Sequence, residues 1–117
     1  CNGTLRGLTD RLDYIQGMGF DCIWIAPIVM QAPDWPDVCS GASYHGYWAQ
    51  NLYEVDPHFG TSDDLKALSA ALHARDMCFV MDAVVNHMGT IHSTADVSQM
   101  YPFNEIGDYH TLDIGDR

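Results

Sequence analysis

The chain has 117 residues, and its 16 acidic and 5 basic residues give it a net charge of −11 at pH 7. This charge repels nucleic-acid phosphates and anionic membrane surfaces, so we expect neither as a partner. No apolar run reaches the roughly 18 residues that a membrane-spanning helix needs. The chain begins with Cys1 rather than Met, and we expect a piece of a longer protein, with any leader upstream or removed.

The first predicted elements are an amphipathic helix and a buried strand. Apolar residues recur at intervals of three and four, at Leu5, Leu8, Leu12 and Ile15. This spacing is typical of a helix with one apolar face, which we expect to end near the glycines at 17 and 19. The run FDCIWIAPI at residues 20–28 is mostly apolar and predicts a buried strand.

Residues 28–60 show neither a helical nor a strand period, and they are rich in proline, glycine and aromatic residues. Irregular connections of this length are uncommon in compact domains and are usually functional. The segment contains the sequence YHGYW at residues 44–48. Its aromatic residues are expected either to pack locally or to contact a ligand.

A second helix and a second strand follow. Thr61 is suited to cap a helix with acidic residues in its first turn, and Leu65, Leu68 and Leu72 follow at helical spacing, so we predict a helix at residues 62–75. The run CFVMDAVVNHMG at residues 78–89 predicts a second buried strand. Helix, strand, loop, helix and strand in this order indicate an α/β fold with parallel strands, whose polar ends commonly carry the chemistry.

The end of the second strand carries polar residues. Alternation places Asp82 and Asn86 on one face, with His87 just beyond the regular strand. A buried aspartate needs hydrogen-bond donors or a cation, so Asp82 either ties down loop amides or serves a binding site. The Asn86 side chain offers an oxygen suited to calcium, and His87 offers a donor suited to a hydroxyl-rich ligand.

The four cysteines stand at positions 1, 22, 39 and 78, without the spacing of a zinc site. Cys22 and Cys78 lie in apolar runs, where we expect free, buried thiols. Cys1 and Cys39 lie in polar surroundings and are the candidates for disulfide bonds.

The motifs YHGYW, FGTSDDLKAL and MDAVVNHMG, in this order, resemble the catalytic barrel of the α-amylase family, glycoside hydrolase family thirteen, and especially its secreted fungal members. LDYIQGMGF and IWIAPI extend the resemblance over about residues 4–89, and beyond about residue 91 it is reduced to YPF and DYH. It implies a partial (β/α)8 TIM barrel at residues 1–89, from about the first helix to the third strand. Residues 90–117 would begin an irregular domain inserted after that strand.

The resemblance also implies roles for individual residues. Tyr47 matches a tyrosine that stacks beneath the sugar at the cleavage point, and Trp48 matches a further sugar-contacting aromatic. His87 matches a histidine that hydrogen-bonds hydroxyls of the same sugar, while Asn86 matches a calcium ligand. Asp82 matches an acid that supports the site. The chain itself is expected to contain none of the three catalytic carboxylates.

Two neighbours of Tyr47 are assigned less directly. We count His45 among the substrate-binding candidates, although local packing explains it equally well. For Tyr44 we expect a place in the core.

Several positions depart from the fungal pattern or bear on disulfides. Leu5 and Arg6 replace an aromatic residue and a glutamine, which weakens any substrate contact there, and Asp76 replaces a glycine at a helix end. Cys1 matches a cysteine that pairs with one further upstream, whereas the other three cysteines have no counterpart in the pattern.

The resemblance implies a secreted, monomeric, calcium-dependent parent enzyme that cuts internal α-1,4-glucosidic bonds of starch and related α-glucans with retention. The chain alone is expected to be inactive. Exo-acting α-glucosidases and transglycosylases share these motifs and remain alternatives, as does a catalytically inactive carbohydrate-binding relative.

Overall fold

A computed structural model describes residues 3–33, 43–89 and 97–110 of the chain. Within these residues, none of the helices is long and apolar enough to cross a membrane. The elements in chain order are α1 (Leu5–Thr9), α2 (Leu12–Gly17), β1 (Cys22–Ile25), β2 (Val29–Gln31), β3 (Ala49–Val55), α3 (Ser62–His73), β4 (Cys78–Met81) and a 3₁₀ turn at Ile106–Asp108.

The predicted first helix is divided into α1 and α2. The Thr9 hydroxyl donates to the Leu5 carbonyl at 3.0 Å, a side-chain bond that bends helices. The Arg11 amide donates to the Leu8 carbonyl at 3.0 Å, which tightens the chain between the two helices. The apolar period is kept across this break, because Leu5 and Leu12 are both buried.

Helix α3 confirms the prediction for residues 62–75. The Thr61 hydroxyl accepts the Asp64 amide hydrogen, while the Asp64 carboxylate accepts the Thr61 amide hydrogen, and together they form a capping box. The hydrogen bonds from Thr61 hold the pKa of Asp64 below its ordinary value. Asp76 lies just after the helix with φ of +53°, so it adopts the left-handed conformation for which glycine is better suited.

The main core lies between these helices and a two-stranded parallel sheet formed by β1 and β4. Its buried residues come from all three helices, from β1 and from the residue just before β4: Leu5, Leu12, Ile23, Leu68, Leu72 and Met77.

Strand β4 is shorter and more exposed than predicted. It ends at Met81, and the Asp82 amide adds one further ladder hydrogen bond to the Ile25 carbonyl at 3.1 Å. The prediction that both strands are buried is wrong for this chain: Trp24 is 72% exposed, and Val80 and Met81 are also exposed. The physical reason is that the apolar cluster packs against one face of the sheet and leaves the other face uncovered.

The prediction that residues 28–60 are irregular is also wrong in part. Strands β2 and β3 lie within this segment and pair in antiparallel fashion. The sequence hides them because β2 has only three residues and the pairing is interrupted by register shifts, so no strand period develops.

A second, smaller cluster joins β3 to the chain after residue 97. Ala49, Met88 and Met100 are buried together. The Tyr101 amide donates to the Gln50 carbonyl at 2.8 Å, which attaches this later segment to the edge of β3. The predicted domain boundary at residues 89 and 90 stays a prediction.

The expectation that Cys22 and Cys78 are free thiols is wrong, since the two residues form a disulfide bond. They are direct partners in the parallel register of β1 and β4, and their Cα atoms lie 4.4 Å apart. Sequence patterns do not reveal this register, because the two residues are 56 positions apart. Cys1 and Cys39 lie outside the described residues, so their disulfide assignments stay predictions.

We predict that the disulfide stabilises the folded chain by restricting the unfolded one. Replacing Cys22, Cys78 or both by alanine in the full-length protein should lower the free energy of unfolding by about 2–4 kcal/mol. Urea unfolding measures the loss, and the double variant should lose no more than either single variant. Alkylation of both thiols in the unreduced native protein, seen by mass spectrometry, would contradict the bond.

Candidate functional site

Tyr47 is the point at which the predicted site residues meet. Its hydroxyl donates to the Asp82 carboxylate at 2.7 Å, and its carbonyl accepts from Nε2 of His87 at 3.0 Å. Its amide donates to Nδ1 of His45 at 3.0 Å. Both the ring and the backbone of Tyr47 are therefore held by residues that the sequence had singled out.

These contacts determine which nitrogen of each histidine carries a hydrogen. A carbonyl oxygen can only accept, so Nε2 of His87 must be protonated to bond with Tyr47. Nδ1 of His45 accepts the Tyr47 amide hydrogen, so in the neutral ring its hydrogen lies on Nε2.

The hydrogen bond to Asp82 also controls the ionisation of Tyr47. This bond, the negative charge of the carboxylate and reduced solvation raise the pKa of Tyr47 above its ordinary value. The shift favours the protonated phenol, which is the form that donates to Asp82. The sequence left two roles open for Asp82, binding loop amides or serving a binding site. In the structure its carboxylate accepts the hydroxyl hydrogen of Tyr47, a residue of the aromatic cluster.

Gly46 allows the chain to turn between His45 and Tyr47. Its φ of +85° is one that residues with a side chain rarely adopt. An added Cβ would also lie 2.7 Å from the carbonyl oxygen of Pro27. Glycine is thus required both by the turn and by the close approach of the chain that follows β1.

Aromatic rings surround His45. The Tyr47 ring is stacked on it at 5.9 Å between centroids, and the Trp48 ring meets it edge-on at 4.7 Å. The structure thus places His45, half-buried, between the two aromatic residues predicted to contact sugar. Tyr44 touches the His45 ring edge, but it is 88% exposed, so its predicted place in the core is wrong.

Gln31 and Asp56 contribute to this region although the sequence analysis did not select them. The side-chain oxygen of Gln31 accepts the Trp48 amide hydrogen at 2.8 Å, and the buried Asp56 accepts the Gln31 amide hydrogen at 3.1 Å. The one sequence feature that could have identified this pair was Asp56, a charged residue that stands before a proline and directly after β3.

A cleft of about 660 Å³ lies beside the aromatic cluster, and Asn86 and His87 both line it. Asp108 lines it as well, and amide and carboxylate oxygens are donor types that calcium prefers. One carboxylate oxygen of Asp108 accepts the Glu105 amide hydrogen at 3.2 Å. Across the described ranges, no three His, Cys, Asp or Glu side chains gather as a metal site would require. By residue type, Asn86 and Asp108 supply at most two of the about 6–8 oxygen ligands that calcium takes.

The comparisons with known proteins agree with the motif resemblance. The catalytic domain of alpha-amylase matches residues 1–115, so the likeness extends beyond residue 91, where the motifs alone lose it. "Alpha-amylase 2" from Schwanniomyces occidentalis is 47% identical over 112 residues, which are 94% of this chain and 22% of that protein. The chain thus spans about a fifth of this relative's length.

Solved structures show the same likeness. An alpha-amylase from Malbranchea cinnamomea is 51% identical, with a TM-score of 0.77, covering 90% of this chain and 22% of that one. The alpha-amylase of Geobacillus thermoleovorans, solved as a complex with acarbose, is 34% identical, with a TM-score of 0.68. The match covers 88% of this chain and 26% of the Geobacillus chain. The two parallel strands and their helices are consistent with part of the (β/α)8 barrel of these proteins. The chain belongs to the alpha-amylase family, as a segment of its catalytic domain.

Proposed function

We propose that the full-length protein is an endo-acting α-amylase that hydrolyses internal α-1,4-glucosidic bonds of starch and related glucans with retention. In this proposal the described segment supplies one wall of the substrate cleft. The observation that carries it is the fixed position of Tyr47, whose hydroxyl and carbonyl are held by Asp82 and His87.

A fixed tyrosine is suited to bind a sugar ring. One face of a pyranose presents C–H groups that pack on an aromatic ring, while its hydroxyls need directed polar partners. Tyr47 is 42% exposed, so ring surface is available to a ligand although the hydroxyl is engaged. Because its conformation is already restricted, binding loses little side-chain entropy. Trp48 and His45 extend the same surface, and His87 lies beside it.

The charge of the segment supports the same substrate class as the aromatic surface. A chain with a net charge of −11 favours neutral over anionic ligands, and α-glucans are neutral. The acarbose complex of the Geobacillus relative supports a carbohydrate ligand for this fold.

Catalysis itself is assigned to residues outside the described segment. Retaining hydrolysis uses a nucleophilic carboxylate and a proton donor about 5–5.5 Å apart. Asp82 accepts a short hydrogen bond from Tyr47, so we assign it to support of the aromatic surface rather than to attack on the sugar. The 117-residue chain alone is therefore expected to be inactive.

Secretion and a monomeric state belong to the same proposal. The Cys22–Cys78 disulfide supports an oxidising compartment, where such bonds persist. Exo-acting and transglycosylating enzymes would use the same aromatic surface, so the pattern of products distinguishes them from an endo-acting hydrolase.

We predict that the Tyr47 ring dominates substrate recognition in this segment. In the full-length protein, Tyr47→Ala should lower kcat/KM on soluble starch about 10- to 100-fold, because roughly 1.5–3 kcal/mol of apolar contact is lost. Tyr47→Phe keeps the ring and should lose at most about fivefold, because the lost bond to Asp82 loosens the ring but removes no contact with the substrate. Tyr44→Ala is the matched control, since this exposed neighbour should leave kcat/KM unchanged.

Two outcomes would overturn these assignments. An unaltered full-length protein that releases no reducing ends from starch would refute the amylase, and glucose as the sole early product would indicate exo action instead. Equal losses in the Tyr44 and Tyr47 variants would show that the loop, rather than the Tyr47 ring, matters for activity.

We further propose that Asn86 binds calcium in the full-length protein, together with ligands supplied largely from outside the described residues. Calcium would stabilise the fold around the cleft. Asn86→Ala should reduce the calcium content found by metal analysis and lower the Tm, because a ligand that binds only the native state at 100 times its Kd contributes about 2.7 kcal/mol. Asn104→Ala is the control, an exposed asparagine on the later segment. Full calcium content in Asn86→Ala would contradict the assignment.

A further inference from the structure

The pairing of β2 with β3 is irregular next to the aromatic cluster. In a regular antiparallel ladder, one step along a strand matches one step along its partner. Here, moving one residue along β2, from Val29 to Met30, moves the pairing by four residues along β3. The next step, from Met30 to Gln31, moves it by two residues. The paired residues are Val29 with Val55, Met30 with Asn51, and Gln31 with Ala49. Irregular pairing of this kind leaves backbone groups that need other partners.

The Gln31 side chain supplies two of these partners. Its Nε2 donates to the Val29 carbonyl at 2.9 Å, and its Oε1 accepts the Trp48 amide hydrogen at 2.8 Å. A primary amide can do both, because its nitrogen donates and its oxygen accepts. The Ala32 amide donates to the Trp48 carbonyl at 2.8 Å, so the backbone of Trp48 is held at both its amide and its carbonyl.

Asp56 in turn holds Gln31. Its carboxylate accepts the Gln31 amide hydrogen at 3.1 Å, while the other oxygen accepts the His58 amide at 2.9 Å and contacts Nδ1 of the His58 ring at 2.8 Å. Asp56 is 6% exposed, and a buried carboxylate is tolerated only when donors satisfy it. The Asp56 amide donates to the Ile28 carbonyl at 2.8 Å, which anchors the group to the chain that leads into β2.

We propose that Asp56 and Gln31 are positioning residues for the sugar-binding ring of Tyr47 and act on it through the backbone of Trp48. The connection runs from the Asp56 carboxylate through the Gln31 backbone and side chain to the Trp48 amide, one residue from Tyr47. Neither residue needs to touch the substrate, because each acts by holding the loop in place. This inference rests on the proposed function. It makes two residues that do not contact the sugar responsible for part of substrate recognition.

The test is a double-mutant cycle in the full-length protein. Gln31→Glu keeps an acceptor for the Trp48 amide but places a carboxylate oxygen against the Val29 carbonyl. We expect kcat/KM on maltoheptaose to fall about tenfold, mainly through KM, since small displacements of a binding group are costly. In the Tyr47→Ala background the same change should cost less than twofold, because the group being positioned is absent. Asp56→Asn should behave in the same way.

Gln16→Glu is the matched control, as this exposed glutamine bonds to the Arg75 carbonyl elsewhere in the fold. It should leave kcat and KM unchanged. Equal losses from Gln31→Glu with and without the Tyr47 ring would indicate a purely structural role and overturn the proposal, as would unchanged kinetics in both Gln31→Glu and Asp56→Asn.

Failure of the proposed function is recognised separately. If the unaltered protein hydrolyses no α-glucan, the amylase proposal fails. The same variants are then compared by their Kd for maltoheptaose, measured by calorimetry, and we expect Gln31→Glu to raise the Kd about tenfold with Tyr47 present and less than twofold without it. If the unaltered protein also does not bind maltoheptaose, the positioning proposal fails as well. If Gln31→Glu does not fold, Asp56→Asn alone decides through its loss with and without Tyr47.

Discussion

The hydrogen bond between the Tyr47 hydroxyl and the Asp82 carboxylate connects the two parts of the described structure. Asp82 is attached to the parallel sheet through its amide bond to Ile25, whereas Tyr47 precedes β3 of the antiparallel pair. At this bond the loop before β3 meets the residue that extends β4, and the predicted site residues come together there. The His87 contact with the Tyr47 carbonyl reinforces the junction from the same side.

The two sheets differ in how they are stabilised. The parallel sheet packs on a leucine-rich cluster beneath the helices and carries a disulfide between adjacent strands. The antiparallel pair has a smaller core, and polar side chains complete its irregular ladder. Stable packing thus supports one half of the site, while a hydrogen-bond network determines the shape of the other. Networks of this kind are sensitive to a single lost partner, because the remaining buried groups stay unsatisfied.

This division suits a surface that binds sugar. Stacking needs a ring whose orientation is set before the ligand arrives, and a ring on a free loop would lose entropy on binding. Tyr47 is held at its hydroxyl, amide and carbonyl, and a turn that only glycine accommodates determines the direction of the chain in front of it. The uncovered face of the parallel sheet is apolar, in keeping with a segment that spans about a fifth of its relatives.

The sequence by itself determined the features that depend on neighbours within a few residues. The capping box of α3 and the leucine spacing are local, and the motifs around Tyr47 and His87 identified the family and the residues that meet in the site. Only the tertiary structure decided the Cys22–Cys78 bond, the exposure of Tyr44, and the connection from Asp56 through Gln31 to Trp48. Those features depend on strand register and on contacts between residues 17 to 56 positions apart. No local period records such contacts, because the chain must fold before the partners become neighbours.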